Sequence, residues 1–271
     1  MPLAYYSKAA SAEFWTKHWR GQTLPDLLAI AGRSPLTDLI LRALPTDGCV
    51  FEGGCGLGQY VVLLRAGGRR ALGADWSLDA LRECRRLDHD APLSVMDLRQ
   101  LAVRSGSLSA YLSLGVVEHD PAGPDGIASE AARALKPGGV LLLSVPYLNW
   151  VRRLSAPYLV RQNRRIQASG GQFYQFAFTR REVSAFLGAH GFTVRSFHPY
   201  DPARVLRKAI KRLRGGRGPG LKEGSGAWAG HPPLAGQSPA LRLKPPLRCL
   251  LYTAPMLRLF GHMILAVAVK R

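Results

Sequence analysis

Val50-Phe51-Glu52-Gly53-Gly54-Cys55-Gly56-Leu57-Gly58-Gln59-Tyr60 is the stretch on which the reading of the fold turns. An apolar run from Cys49 to Phe51 ends on an acid and breaks into glycines, the pattern of a buried strand followed by a loop. Glycines at 54, 56 and 58 let that loop turn sharply and press its backbone against a ligand where any Cβ would collide. Tyr60 to Leu64 (YVVLL) restarts order as a helix whose free N–H groups face the bound molecule. A dinucleotide fingerprint needs G-x-G-x-x-G, and counting from Gly54 puts Gln59 where helix packing wants Gly or Ala. The spacing present is E-x-G-x-G-x-G, from Glu52 to Gly58, so the cofactor must be identified by the acids that follow.

The chain has 271 residues, 47% of them hydrophobic, enough for a full core in one elaborated domain. Its most apolar C-terminal region, Leu247 to Val269, is broken by Arg248, Pro255, Arg258 and His262, which argues against a membrane span. The N-terminus carries Tyr5, Lys8, Glu13 and Lys17 where a signal peptide would need an apolar core. A cytoplasmic protein is expected. Cysteines at 49, 55, 84 and 249 have neither disulfide-framework density nor C-x-x-C zinc spacing, and read as reduced thiols. The net charge is +19, and it is local: from Arg195 onward, 15 basic residues face only Asp201 and Glu223. Such a field speeds encounter with anionic partners without choosing among phospholipid, nucleic acid and phosphorylated substrate.

Two or three helices are expected before Pro45-Thr46-Asp47-Gly48, a turn that introduces the first strand. Further strands follow at Arg69 to Asp75, Leu93 to Met96, Ser109 to Leu114, Val140 to Val145, Phe192 to Phe197 and Met263 to Val269. Helices alternate with them, one capped by Ser77 and one opened by the Thr179-Arg180-Arg181-Glu182 capping box. The alternation implies right-handed crossovers and a largely parallel α/β sheet with helices on both faces. Residues 1–44 read as a helical cap on a domain spanning 45–271, with 199–261 a basic, partly flexible insertion before the last strand. Within the insertion, 203–214 (ARVLRKAIKRLR) has the stripe of a basic amphipathic helix, and 215–240 has too little apolar mass to offset the entropy of ordering.

Asp75 ends the second strand and Asp97 follows the third, so both acids join Glu52 at the carboxyl edge where ligands of doubly wound sheets bind. With Gly73-Ala74-Asp75, Met96-Asp97-Leu98, Val117-Glu118-His119, Glu130 with Arg133, Leu135-Lys136-Pro137-Gly138-Gly139 and Ser144-Val145-Pro146 in view, the chain resembles the class I S-adenosylmethionine-dependent methyltransferases. The nearest likeness is to the bacterial small-molecule group that includes quinone-biosynthesis enzymes, over roughly residues 45 to 200. The resemblance implies a Rossmann-like seven-stranded sheet of order 3-2-1-4-5-7-6 with the last strand antiparallel. It implies S-adenosyl-L-methionine as cofactor and S-adenosyl-L-homocysteine as product. Gly54, Gly56 and Gly58 would line the methionine and ribose end, with Gly53, Cys55 and Leu114 alongside. Glu52 would serve the amino group and Asp75 the ribose, while Trp76 and Leu98 would face the adenine and Asp97 its amino group. Two departures bear on the adenine pocket: Ser109 replaces the family's acid entering the fourth strand, and Leu101-Ala102-Val103 replaces an apolar-Pro-aromatic turn.

A sulfonium methyl is already electrophilic, so alignment of acceptor, methyl and sulfur does most of the work. His119 is the candidate base for an oxygen or nitrogen acceptor. Glu118-His119-Asp120 does not read as a metal site, because consecutive side chains rarely converge on one ion. The expected partner is a small-molecule or lipid-like acceptor, with 203–214 a contact for anionic membrane at the inner surface. A nucleic-acid enzyme is the alternative. It is disfavoured by the lack of Asn/Asp-Pro-Pro-aromatic and Pro-Cys motifs at the fourth strand. A non-catalytic membrane-docked partner protein is the third reading.

Overall fold

In the computed structural model, residues 2–7, 10–202 and 249–271 are described. The basic amphipathic helix expected at 203–214 and the loop expected at 215–240 lie outside them.

β2 (Cys49–Gly53) is the strand that ends in the acid, and the strands β3 (Arg70–Asp75), β4 (Leu93–Val95), β5 (Leu108–Leu114) and β6 (Leu135–Pro146) lie parallel to it or to one another. β9 (Met263–Lys270) inserts antiparallel between β6 and β8 (Phe192–Tyr200), giving the order β4-β3-β2-β5-β6-β9-β8. That is the order and the reversed last strand expected from the motifs. In register, Glu52 lies opposite Gly73 of β3 and Leu112 of β5, so the acid sits between the two halves of the sheet.

Side chains that alternate along a strand pack two separate layers. Phe51, Tyr111, Leu141 and Leu143 join Ile127 of α6 (Asp125–Ala134) and Leu187 of α9 (Arg180–Ala189) on one face. On the other, Val50, Ala110, Leu112 and Leu142 join Ile40 of α3 (Pro35–Ala43) and Leu64 of α4 (Gln59–Ala66). Every residue of β5 is buried, as befits a strand covered on both faces. The helix caps follow the sequence: Ser77 accepts from Ala80 N–H at the start of α5 (Leu78–Leu87), and Thr179 with Glu182 forms the full capping box of α9.

Two features depart from expectation. The N-terminal stretch, expected to be wholly helical, opens with β1 (Leu3–Ser7), which pairs antiparallel with β7 (Gln172–Ala177) in a separate two-stranded sheet. Neither strand alternates cleanly, and each depends on the other for its hydrogen bonds. Helices α7 (Trp150–Leu154) and α8 (Ala156–Ala168) fill the region after β6, with Asn163 donating to the Ala4 carbonyl at 2.6 Å to tie α8 to β1. Between β1 and β2 run α1 (Ala12–Trp19), α2 (Leu24–Ala31) and α3, and α10 (Ala254–Phe260) leads into β9.

Candidate functional site at the carboxyl edge

The glycine loop runs from the end of β2 into α4, with Gly54, Gly56 and Gly58 all at positive φ (+74°, +54° and +72°). A Cβ on Gly54 would strike Val116, one on Gly58 would strike Cys84 Sγ, and one on Gly56 would enter the ring of Trp19. Both the left-handed backbone and the close packing therefore demand glycine. Gly53, where φ is ordinary, is pressed against the Tyr111 hydroxyl. Cys55 is buried, its amide donating to the Ala74 carbonyl at 3.0 Å, and burial pushes its thiol pKa well up.

Asp75 and the loop meet directly. The Gly56 amide donates to Asp75 Oδ2 at 2.8 Å and the Ser77 amide to Oδ1 at 2.9 Å. The carboxylate thus pins the loop to the end of β3, and with the Trp76 amide also drawn to it, capacity remains among its four lone pairs for a further donor. Burial raises its pKa, against the pull of these amides. Trp76, the next residue, is about half exposed, and Leu98 and Leu114 are buried, one in each core layer. Asp97 follows β4 and is paired with its neighbour. Its carboxylate is forked onto Arg99 (Nε to Oδ1 3.0 Å, Nη2 to Oδ2 2.8 Å), which holds its pKa down, and about half of its side chain is exposed. Arg99 also reaches Asp120 at 3.8 Å, linking the two acids through one guanidinium.

Glu52 is 2% exposed, and neither carboxylate oxygen has a hydrogen-bond partner. Burial drives its pKa well up, against a weaker opposing pull from the Val61 amide, which approaches without meeting hydrogen-bond geometry, and with a further rise from Asp75. An uncompensated buried carboxylate is costly, so its presence beside a glycine cradle fits a site built for a cationic group. Glu118 repeats the pattern: fully buried, both oxygens without a partner, pKa raised by burial.

His119 closes a 3-10 turn (Val117–His119) after β5. Its Nδ1 lies 2.8 Å from the Tyr174 carbonyl oxygen. A carbonyl only accepts, so Nδ1 carries the proton and Nε2 presents a lone pair. Nε2 is buried without a partner, and burial lowers the ring's pKa to about 4. The imidazole is held edge-on by Trp15 at 4.9 Å and Tyr174 at 5.0 Å. Sequence reasoning missed Trp15 and Trp19. Trp15 and Trp19 are spaced i, i+4 on α1, which puts them on one helix face. That spacing was the available signal, but it cannot say which surface the face covers. Thr16 Oγ1 lies 3.1 Å from Ser77 Oγ, fixing α1 beside the end of β3. No group of three or more His, Cys, Asp and Glu side chains able to hold a metal occurs among the described residues, and no described helix is long and apolar enough to cross a membrane.

Residues 51–143 match the family described as Methyltransferase domain. Over 107 residues the chain is 34% identical to mouse (Mus musculus) tRNA (carboxymethyluridine(34)-5-O)-methyltransferase ALKBH8, a match covering 39% of this chain and only 16% of that protein. Among solved structures, a SAM-dependent methyltransferase from Methanosarcina mazei superposes with a TM-score of 0.56 at 16% identity, over 86% of this chain and 96% of that one. A chain from the complex of the Haloferax volcanii Trm112 methyltransferase activator with a methyltransferase superposes with a TM-score of 0.53 at 17% identity, over 89% and 87%. At such identities the structural likenesses speak for the fold alone.

Proposed function

We propose that this chain, whose residues 51–143 match the Methyltransferase domain family, binds S-adenosyl-L-methionine at the carboxyl edge and transfers its methyl group to a small-molecule or lipid-like acceptor. The observation that carries the reading is Glu52, a buried and unpartnered carboxylate at the head of a glycine cradle. The cofactor supplies a methyl group on a positively charged sulfur, electrophilic without further activation. Glu52 accepts hydrogen bonds from the cofactor's ammonium. Gly54, Gly56 and Gly58 bring backbone rather than side chains against it, and the spare lone pairs of Asp75 accept from its ribose hydroxyls. Leu98, Leu114 and Trp76 offer apolar surface to it, and Asp97, held by the Arg99 fork, accepts from the amino group of its base. Trp15 and Trp19 exclude water from above. His119 Nε2 is set to take the proton from an acceptor O–H or N–H, with Nδ1–H anchored on Tyr174. Alignment of this kind contributes ~7–11 kcal/mol in favourable cases, so one base suffices.

Calorimetric titration with adenosylmethionine tests the donor half. Wild type should bind, and Glu52→Gln should bind roughly ten- to a hundredfold more weakly, as for loss of a charge-assisted hydrogen bond. Absence of binding to wild type would sink the proposal. The 34% identity to a tRNA enzyme supports a second reading, with RNA as acceptor. Incubation with labelled methyl donor and either bulk tRNA or a lipid and quinone extract separates the two by where the label appears.

A further inference from the structure

A second concavity, of about 510 Å3, lies on the same edge of the sheet but does not include the glycine loop. Tyr147 leaves β6, Trp150 and Arg153 sit on α7, Arg180 and Arg181 open α9, and Arg258 lies on α10, which leads into β9. The concavity therefore stands over the β6-β9-β8 half of the sheet, and β5 separates it from β2. Four arginines from three elements line it. Among the described residues no carboxylate lies within salt-bridge distance of any of them. The adjacent acid, Glu182, already accepts from the Thr179 amide and hydroxyl, each at 2.8 Å. Arg153 stacks on Trp150 at 4.7 Å and Arg180 on Phe197 at 5.7 Å, which holds both guanidinium planes. Arg180 Nε is buried with no hydrogen-bond partner.

Converging cations without a counter-charge repel one another, and two stacked guanidinium forks have the geometry that clasps phosphate oxygens. We infer that this concavity is an anion subsite that takes a phosphate group of the methyl acceptor. The inference rests on the methyl-transfer reading and narrows its acceptor to a phosphate ester. The volume exceeds that of a phosphate, leaving room for the ester it carries. Trp150 lines it and is 53% exposed, and Leu154 at the end of α7 is 80% exposed. A lipid ester could lay its apolar part there; a soluble ester would leave the rim wet.

The test uses the full chain at near-physiological salt. Inorganic pyrophosphate should bind wild type, and Arg181→Gln/Arg258→Gln should bind roughly tenfold or more weakly. Arg104→Gln/Arg195→Gln, which removes the same charge elsewhere, should match wild type. Co-sedimentation with phosphatidic acid but not phosphatidylcholine vesicles, lost in the first double variant only, assigns the phosphate to a lipid; pyrophosphate binding without vesicle binding assigns it to a soluble ester. The subsite is overturned if wild type binds neither probe, if both double variants lose binding equally, or if only single-stranded RNA binds. S-adenosylhomocysteine titrated into the same proteins keeps the two readings apart. Pyrophosphate binding without it sinks methyl transfer and leaves the anion site, whereas its binding without either phosphate probe sinks the anion site and leaves the donor half.

Discussion

Gly56 and Gly106 both sit at positive φ, +54° and +65°, but a Cβ on Gly106 meets nothing within 4 Å while one on Gly56 enters the Trp19 ring. Gly106→Ala should therefore cost only the left-handed strain, ~1–2 kcal/mol in urea unfolding. Gly56→Ala should cost more and also lose adenosylhomocysteine binding. Titration separates Glu52 from His119. The folded-state pKa of Glu52 is raised by burial, so as pH climbs above the ordinary carboxylate value the unfolded chain releases this proton first. Its contribution to stability falls until the folded pKa is passed. Glu52→Gln should flatten that decline in melts from pH 5 to 8. For His119 the sign reverses. Its pKa is lowered from 6.5 to about 4, so the unfolded chain takes up the proton first as pH falls. Relative to His119→Gln, wild type should lose on the order of 3 kcal/mol between pH 6.5 and 4, measured by denaturant unfolding at several pH values. If His119 is the base, the same variant should also lower the transfer rate ~100-fold or more at neutral pH.

At the scale of elements, α1 is the piece whose role the chain order conceals. It lies far from the glycine loop in sequence, yet Trp19 packs on Gly56 and Trp15 on His119. Trp19 is 4% exposed, and Trp19→Ala should cost ~3–5 kcal/mol by the transfer and cavity terms of a large aromatic ring. The accompanying loss of cofactor affinity should exceed that of a surface variant such as Arg104→Gln. The strands β2, β3, β5, β6, β8 and β9 were legible, because each is a short apolar run bounded by turn chemistry. The N-cap of α5 and the capping box of α9 were legible for the same local reason. β1 and β7 were not: their pairing spans Leu3 to Ala177, and no local period announces a partner that distant.

The molecule as a whole ranks these elements by depth. β5 is buried along its full length and flanked by β2 and β6, whereas β4 is three residues long at the sheet's edge with two of them exposed. In native-state hydrogen exchange, β5, β6 and the Met263–Ala266 half of β9 should exchange only through global unfolding, with β4 and β1 exchanging through local opening at much lower free energy. The +19 charge acts at this scale too. It cannot by itself select a partner, but the fold gathers Arg153, Arg180, Arg181 and Arg258, spread over more than a hundred residues of chain, around one concavity.

What the sequence determined alone is therefore the glycine turn: Glu52 to Gly58 act through backbone conformation, which local residue types dictate, and Asp75 ends the neighbouring strand beside them. Tertiary structure decided the rest. It paired Asp97 with Arg99, laid α1 over the loop, buried His119 Nε2 and gathered the arginines. Each of these depends on which surfaces meet when the chain minimises exposed apolar area, and on which buried polar atoms then find partners. Residue type and spacing cannot carry that information.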